Sequence, residues 1–94
     1  MPGIDALFVG PYDLSSSLGV LGQLEHESVV AAVTRVVDVA RKSGLALGAF
    51  GVDAERLRMF TSRGATLLTV GIDAQMLTDT ARATAASARA LLAE

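Results

Sequence analysis

The sequence predicts an α/β fold with a small parallel sheet, and two observations carry this prediction. Three short apolar runs, at residues 4–9, 45–50 and 65–70, each stop immediately before a glycine. A helical pattern follows each run along the chain. Strands that alternate with helices pair in parallel through right-handed crossovers. We therefore expect residues 1–94 to form one partial domain of three strand-helix units.

The first unit contains a strand, a loop and a long helix. Residues 4–9 read I-D-A-L-F-V, a short apolar run typical of a parallel strand buried on both faces. Residues 12–24 are rich in Gly and Ser and predict a loop with one helical turn at residues 13–18. Residues 27–43 predict an amphipathic helix, which Gly44 ends. Its apolar stripe comprises Val29, Val30, Val33, Val36, Val37 and Ala40.

In the second and third units, the connection between the strand and the helix is shorter than in the first. Asp53 is a predicted N-cap for a helix over residues 54–62, with Leu57 and Phe60 facing inward. Asp73 is a predicted cap for a final alanine-rich helix reaching Leu92. The apolar stripe of that helix comprises Leu77, Ala81, Thr84, Ala88 and Leu91. Three strands leave two unpaired sheet edges, which indicates that further strands or another subunit complete the sheet.

The composition excludes several classes of function. Hydrophobic residues make up 51% of the chain and the formal net charge is -2, which argues against disorder and against a nucleic-acid partner. The chain has no cysteine, so disulfides and thiol catalysis are excluded. No apolar run is long enough to span a bilayer, and the first residues do not resemble a signal peptide. The sequence predicts a cytoplasmic protein without membrane association.

An aspartate follows the glycine at the end of every predicted strand. In parallel α/β proteins, ligands bind at the carboxyl ends of the strands. Asp53 and Asp73 stand directly before helices, where a capping role is the simpler interpretation. Asp13 follows the Gly10-Pro11 turn and precedes a loop. Its local sequence leaves two roles open, as a cap of a helical turn or as a ligand-binding residue.

The first unit also carries a motif. Residues 3–15 read G-I-D-A-L-F-V-G-P-Y-D-L-S, followed by Ser17-Leu18-Gly19, and this stretch resembles the signature of the HpcH/HpaI aldolase family. Residues 65–77, with their V-G-I-D turn, are similar to the last strand and the start of the last helix of that family. The resemblance implies the C-terminal part, the last three strand-helix units, of a (β/α)8 TIM barrel of the phosphoenolpyruvate/pyruvate type. Such a barrel has roughly 250 residues, so the chain would be a fragment of about a third.

The resemblance also implies a reaction and a site. The family members are divalent-metal-dependent lyases that cleave 4-hydroxy-2-oxo acids to pyruvate and an aldehyde through a metal-stabilised enolate. Asp13 matches the metal ligand, for Mg, Mn or Co. Gly10, Pro11, Tyr12 and Asp13 match the substrate-binding turn, in which the backbone of Tyr12 and Asp13 holds the carboxylate of the 2-oxo acid. The expected partners are this small molecule and, for the full-length protein, other copies in a trimer or hexamer.

The other functional residues of the family have no counterpart here. The second metal ligand, a glutamate, and the catalytic histidine and substrate-binding arginine belong to earlier strands, so the chain holds no catalytic residue and is expected to be inactive alone. His26 does not match the family histidine and precedes a helix, where capping or solvation is expected. Arg35, Arg41 and Arg56 are expected on exposed helix faces.

Two alternative functions remain open from the sequence. One is a small non-catalytic α/β module with a structural or regulatory role. The other keeps the barrel but changes the substrate, because acyl-CoA lyases related to citrate lyase share this fold. The turn G-P-Y-D-L-S favours the aldolase. The unpaired sheet edges further predict that the chain folds poorly by itself and aggregates.

Overall fold

The computed structural model describes residues 2–94 and confirms an α/β fold around a small parallel sheet. The strand order is β1-β2-β3, and both strand pairs are parallel. The elements in chain order are β1 (Ala6–Val9), α1 (Pro11–Ser17), α2 (Glu27–Ser43), β2 (Ala46–Gly51), a 3-10 turn (Glu55–Leu57) that leads directly into α3 (Arg58–Thr61), β3 (Leu67–Val70) and α4 (Asp73–Leu92).

The long helices begin and end close to their predicted positions. Helix α2 has the predicted bounds, and Gly44 ends it in the left-handed region with a φ of 66°. Only glycine adopts this conformation without a steric penalty. Strands β1 and β3 each start two residues later than predicted. Periodicity identifies an element well, but its first residue depends on which backbone groups find a partner strand.

Two predicted helical segments differ from the structure. The predicted turn at residues 13–18 is a seven-residue helix, α1, that begins at Pro11. Proline suits the first helical position because its fixed φ is helical and its missing N–H would have no partner there. The predicted helix over residues 54–62 is divided into the 3-10 turn and the four residues of α3. Leu57 and Phe60 are nevertheless buried, as predicted.

One hydrophobic core lies between helix α2 and the sheet. Four residues of the predicted stripe of α2, Val29, Val33, Val37 and Ala40, are buried, while Val30 and Val36 are half-buried. The four buried residues belong to one cluster with Val9, Leu47, Ala49, Leu57, Phe60 and Ala65. The core therefore covers one face of β1 and β2 and fixes the carboxyl ends of these strands.

Helix α4 buries none of its residues within the described part of the chain. The predicted stripe is present in the helix, but Leu77 is 73% exposed and Leu91 is 68% exposed. The radius of gyration is 17.7 Å. A compact domain of this length would have a radius of about 12 Å. The prediction of a helix was correct, but its apolar stripe contacts no core in residues 2–94.

Strand β3 forms one edge of the sheet, and every one of its residues is exposed. None of the helices in residues 2–94 has the length and apolarity required to cross a membrane. The apolar side chains of Leu67, Leu68 and Val70 are exposed within the described part of the chain. An edge strand of this kind pairs readily with another chain.

We expect the isolated chain to aggregate because of these exposed apolar surfaces. In size-exclusion chromatography with light scattering, the purified 94-residue chain should elute as a polydisperse, high-mass species. Thermal unfolding should show no cooperative transition, since helix α4 and strand β3 have no core to pack against. A monodisperse monomer that melts cooperatively would contradict this prediction.

Candidate functional site

The carboxyl ends of the three strands form a recess in which the predicted site residues meet. Because the strands are parallel, the residues that follow them lie at the same edge of the sheet. The recess has a volume of about 240 Å³ and is lined by Gly10, Tyr12, Asp13, Phe50, Val52 and Ile72. The structure therefore brings Gly10, Tyr12 and Asp13 together with three apolar side chains that sequence analysis did not assign to the site. Pro11, the buried first residue of helix α1, does not line this recess but lines a neighbouring cavity.

The carboxylate of Asp13 lies at the mouth of this recess. Asp13 stands in the first turn of helix α1, but the N-cap is Gly10 and no side chain caps the helix. Asp13 is exposed, and its Oδ2 lies 3.5 Å from the position that a Cβ on Gly10 would occupy. Of the two roles left open by the sequence, helix capping is not the one that Asp13 adopts within the described residues. The ligand-binding role of Asp13 stays a prediction.

Two backbone N–H groups lie beside this carboxylate. The first helical hydrogen bond of α1 runs from the N–H of Leu14 to the carbonyl of Gly10, at 2.9 Å. The preceding amides of Tyr12 and Asp13 pair with no backbone carbonyl in the described residues. Unpaired amides at a turn attract anionic groups such as carboxylates. The unpaired amides and the carboxylate thus belong to one turn, and both of its residues, Tyr12 and Asp13, line the recess.

Tyr12 forms a wall of the recess and contacts the following loop. Its side chain is 55% exposed, and its Cε2 lies 3.8 Å from the position that a Cβ on Gly22 would take. Tyr12 also lines a smaller apolar cavity together with Leu24, Phe50 and Phe60, among others. The ring thus packs between the recess and the loop after α1.

Ser15 is a residue of the site region that sequence analysis named only as part of the motif. It is the one buried polar residue in the described part of the chain, with an exposed fraction of 0%. Its hydroxyl donates to the carbonyl of Tyr12 at 2.6 Å and accepts the N–H of Gly22 at 3.0 Å. A serine in a helix can bond backward to a carbonyl of the preceding turn. That local pattern was visible in the sequence, whereas the contact with Gly22 was not.

The other two strand-end aspartates bind local backbone groups. Asp53 accepts the N–H of Arg56 at 2.9 Å and also pairs with the Arg56 guanidinium. This backbone hydrogen bond, supported by the positive charge of Arg56, holds the pKa of Asp53 below its ordinary value. Asp53 therefore binds a backbone amide of the following turn, but the N-cap of the 3-10 turn is Ala54, so the predicted N-cap position was wrong by one residue. Asp73 is the first residue of helix α4 rather than its N-cap, and its Oδ1 accepts the N–H of Ala74 at 2.7 Å.

The histidine and the arginines lie outside the recess. His26 caps helix α2, because its Nδ1 accepts the N–H of Ser28 at 3.2 Å. Arg35 and Arg41 are exposed on the same helix, and Arg56 is paired with Asp53. These placements agree with the roles predicted from the sequence.

Asp13 is the one acidic side chain among the described residues that lines this recess. No group of three or more His, Cys, Asp or Glu side chains in residues 2–94 could hold a metal ion. A hard divalent cation prefers several oxygen ligands, and magnesium typically takes one or two carboxylates together with water or substrate oxygens. The exposed, uncapped carboxylate of Asp13 fits the role of one ligand in such a set.

Comparison with known proteins places the chain in a family. Residues 1–80 match the family described as HpcH/HpaI aldolase/citrate lyase. A hydroxypyruvate/pyruvate aldolase of Paraburkholderia phytofirmans is 42% identical over 72 residues, which cover 77% of this chain and 28% of the relative. A 4-hydroxy-2-oxo-heptane-1,7-dioate aldolase of Escherichia coli is 34% identical over 84 residues, or 89% of this chain and 32% of the relative.

A solved structure gives the same result. An HpcH/HpaI aldolase/citrate lyase family protein from Burkholderia cenocepacia matches with a TM-score of 0.85 and 39% identity, over 94% of this chain and 34% of that protein. The chain thus spans about a third of the length of the relatives it matches. The matched segment contains the strand-end turn of Asp13 and all three strands. The chain belongs to the HpcH/HpaI aldolase/citrate lyase family.

Proposed function

We propose that this chain is the C-terminal part of a divalent-metal-dependent aldolase that cleaves 4-hydroxy-2-oxo acids to pyruvate and an aldehyde. The observation that supports it most is the free carboxylate of Asp13 beside the unpaired amides of Tyr12 and Asp13, at the carboxyl edge of a parallel sheet. The names of the two aldolase relatives support the same class of reaction.

The proposed fold of the whole protein is a (β/α)8 barrel of which these are the last three strand-helix units. The chain supplies three parallel strands in sequential order, which is the order in which a barrel of this kind places its strands. Strands β1 and β3 would then pair with strands of the remaining part. This arrangement also accounts for the exposed apolar residues of β3.

In this proposal Asp13 binds the cation through its carboxylate, together with a second acidic ligand from an earlier strand. The cation would serve as a Lewis acid toward the 2-oxo acid. Magnesium, manganese and cobalt all suit oxygen ligands of this kind. Asp13 is exposed on the recess and bonded to no capping partner, so it needs no rearrangement to act as a ligand.

The turn at residues 10–13 would orient the substrate. The amides of Tyr12 and Asp13 would donate to the substrate carboxylate, and Pro11 holds the turn because its φ is fixed. The apolar side chains of Phe50 and Val52 line the opposite wall of the recess. They would exclude water from the reacting carbons and so strengthen the hydrogen bonds of the turn.

Two further features of the full-length protein are part of the proposal. Helix α4 exposes Met76, Leu77, Leu91 and Leu92, and this supports the trimer or hexamer that the resemblance implies. A catalytic histidine and a substrate-binding arginine would come from the earlier strands. The family also includes citrate lyase, but the aldolase names of the relatives favour a 2-oxo acid over an acyl-CoA substrate.

The experiment compares this chain with a version extended upstream to a full barrel. Pyruvate release from a 4-hydroxy-2-oxo acid should appear only in the extended protein and only with manganese or magnesium, since a second carboxylate is needed to hold the cation. Chelation by EDTA should abolish the activity, and added metal should restore it. Absence of activity in both proteins, with the short chain well folded, would favour a non-catalytic module.

A further inference from the structure

We propose that Ser15 is a positioning residue for the substrate carboxylate, and this inference rests on the proposed function. Ser15 is fully buried, and its hydroxyl has one acceptor and one donor within reach. The acceptor is the carbonyl of Tyr12 at 2.6 Å. That carbonyl and the N–H of Asp13 belong to the same peptide group.

Planarity of the peptide group transmits the effect of Ser15 to the site. In a trans peptide the carbonyl and the N–H point in opposite directions within one plane. A hydrogen bond that holds the Tyr12 carbonyl therefore also holds the direction of the Asp13 N–H. The hydroxyl further polarises the peptide group, and this makes the N–H a stronger donor. Two hydrogen bonds would thus act in series, one from the Ser15 hydroxyl to the Tyr12 carbonyl and one from the Asp13 N–H to the proposed substrate carboxylate.

The second bond of Ser15 keeps its hydroxyl in place. The N–H of Gly22 donates to Ser15 Oγ at 3.0 Å, so the hydroxyl proton is left for the carbonyl of Tyr12. The backbone carbonyl of Ser15 also accepts the N–H of Val20 at 2.9 Å. Ser15 thus fastens the loop after α1, which packs against the Tyr12 ring. A test must separate the effect on substrate binding from this anchoring of the loop.

The test uses the full-length protein loaded with manganese and measures two affinities, for pyruvate and for the metal itself. Ser15→Ala should weaken pyruvate binding about tenfold, because a misdirected Asp13 N–H would lose most of its hydrogen bond to the charged substrate carboxylate. The affinity for Mn²⁺ should change less than about twofold, because the Asp13 carboxylate is untouched. In steady-state cleavage, KM should rise more than kcat falls.

A matched control is provided by Ser62, whose hydroxyl donates to the carbonyl of Met59 at 3.2 Å in the same backward pattern. Ser62 is exposed and lies outside the recess, so Ser62→Ala should leave both affinities unchanged. Unchanged pyruvate affinity in Ser15→Ala would overturn the inference. A parallel loss of metal and pyruvate affinity would also overturn it, since that result indicates general loosening of the turn.

A second variant covers the case in which Ser15→Ala does not fold. Ser15→Cys fills nearly the same volume with a weaker donor, so it should weaken pyruvate binding about threefold or more, with the metal affinity retained. Unchanged pyruvate affinity in this variant would overturn the inference. If the wild-type protein itself binds no pyruvate, the proposed function is contradicted, and the inference is lost with it.

Discussion

Asp13→Ala in the full-length protein is expected to lower the rate of pyruvate release by more than about 100-fold, because loss of an outer-shell partner of a metal ligand alone costs 10–100-fold. The carboxylate is the one acidic group that the described residues bring to the recess, and it is the proposed metal ligand. Stability should fall by less than about 1 kcal/mol, because the side chain makes no capping bond and contributes only the dipole interaction of an acid in a first helical turn. Steady-state kinetics at several manganese concentrations would measure the effect.

Two controls make this result specific. Asp38→Ala removes an exposed acid on helix α2, far from the strand ends, and should retain full activity. Asp13→Asn preserves the size of the side chain but removes its charge, so part of the lost activity should return at high metal concentration. Activity of Asp13→Ala equal to that of the wild type would exclude Asp13 as a metal ligand.

Phe60→Ala is expected to lower the free energy of unfolding of the full-length protein by about 3–5 kcal/mol, the usual cost of removing a buried aromatic ring. Phe60 is 1% exposed and belongs to the core cluster together with Leu57, Val29 and Val33. Domains are stable by only about 5–15 kcal/mol. The variant should therefore be partly unfolded or degraded in the cell. Denaturant unfolding followed by circular dichroism would give the change.

Leu92→Ala is the matched control for this substitution. Leu92 is 88% exposed at the end of helix α4, so its removal should change stability by less than about 0.5 kcal/mol in the unassembled protein. A loss below about 1 kcal/mol for Phe60→Ala would show that the core described here is not the one that stabilises the full-length protein.

The elements that the sequence predicted well are those determined by neighbouring residues. The bounds of α2 follow from a stripe with helical spacing and from Gly44, and both signals act within a few residues. The division of residues 55–61 into a 3-10 turn and a short helix was missed. Leu57 and Phe60 are three residues apart and share one face in an α-helix as well as in a 3-10 turn, so their apolar spacing does not distinguish the two.

The candidate site was predicted in part. The residues of the turn at positions 10–13 came from the motif, and the structure places Gly10, Tyr12 and Asp13 at one recess. The apolar wall of Phe50, Val52 and Ile72 was not predicted, since Phe50 and Val52 lie at the end of β2 and Ile72 follows β3. Only the pairing of the strands brings them beside Asp13.

The sequence by itself determined the α/β class, the parallel order of strands and helices, and the motif that places the chain in its family. Tertiary structure alone decided that the Asp13 carboxylate is uncapped, that Ser15 joins Tyr12 to Gly22, and that helix α4 buries nothing in residues 2–94. The physical reason is the range of the interactions. Periodicity and capping act over about four residues, whereas a recess depends on how distant strands and loops close around a core.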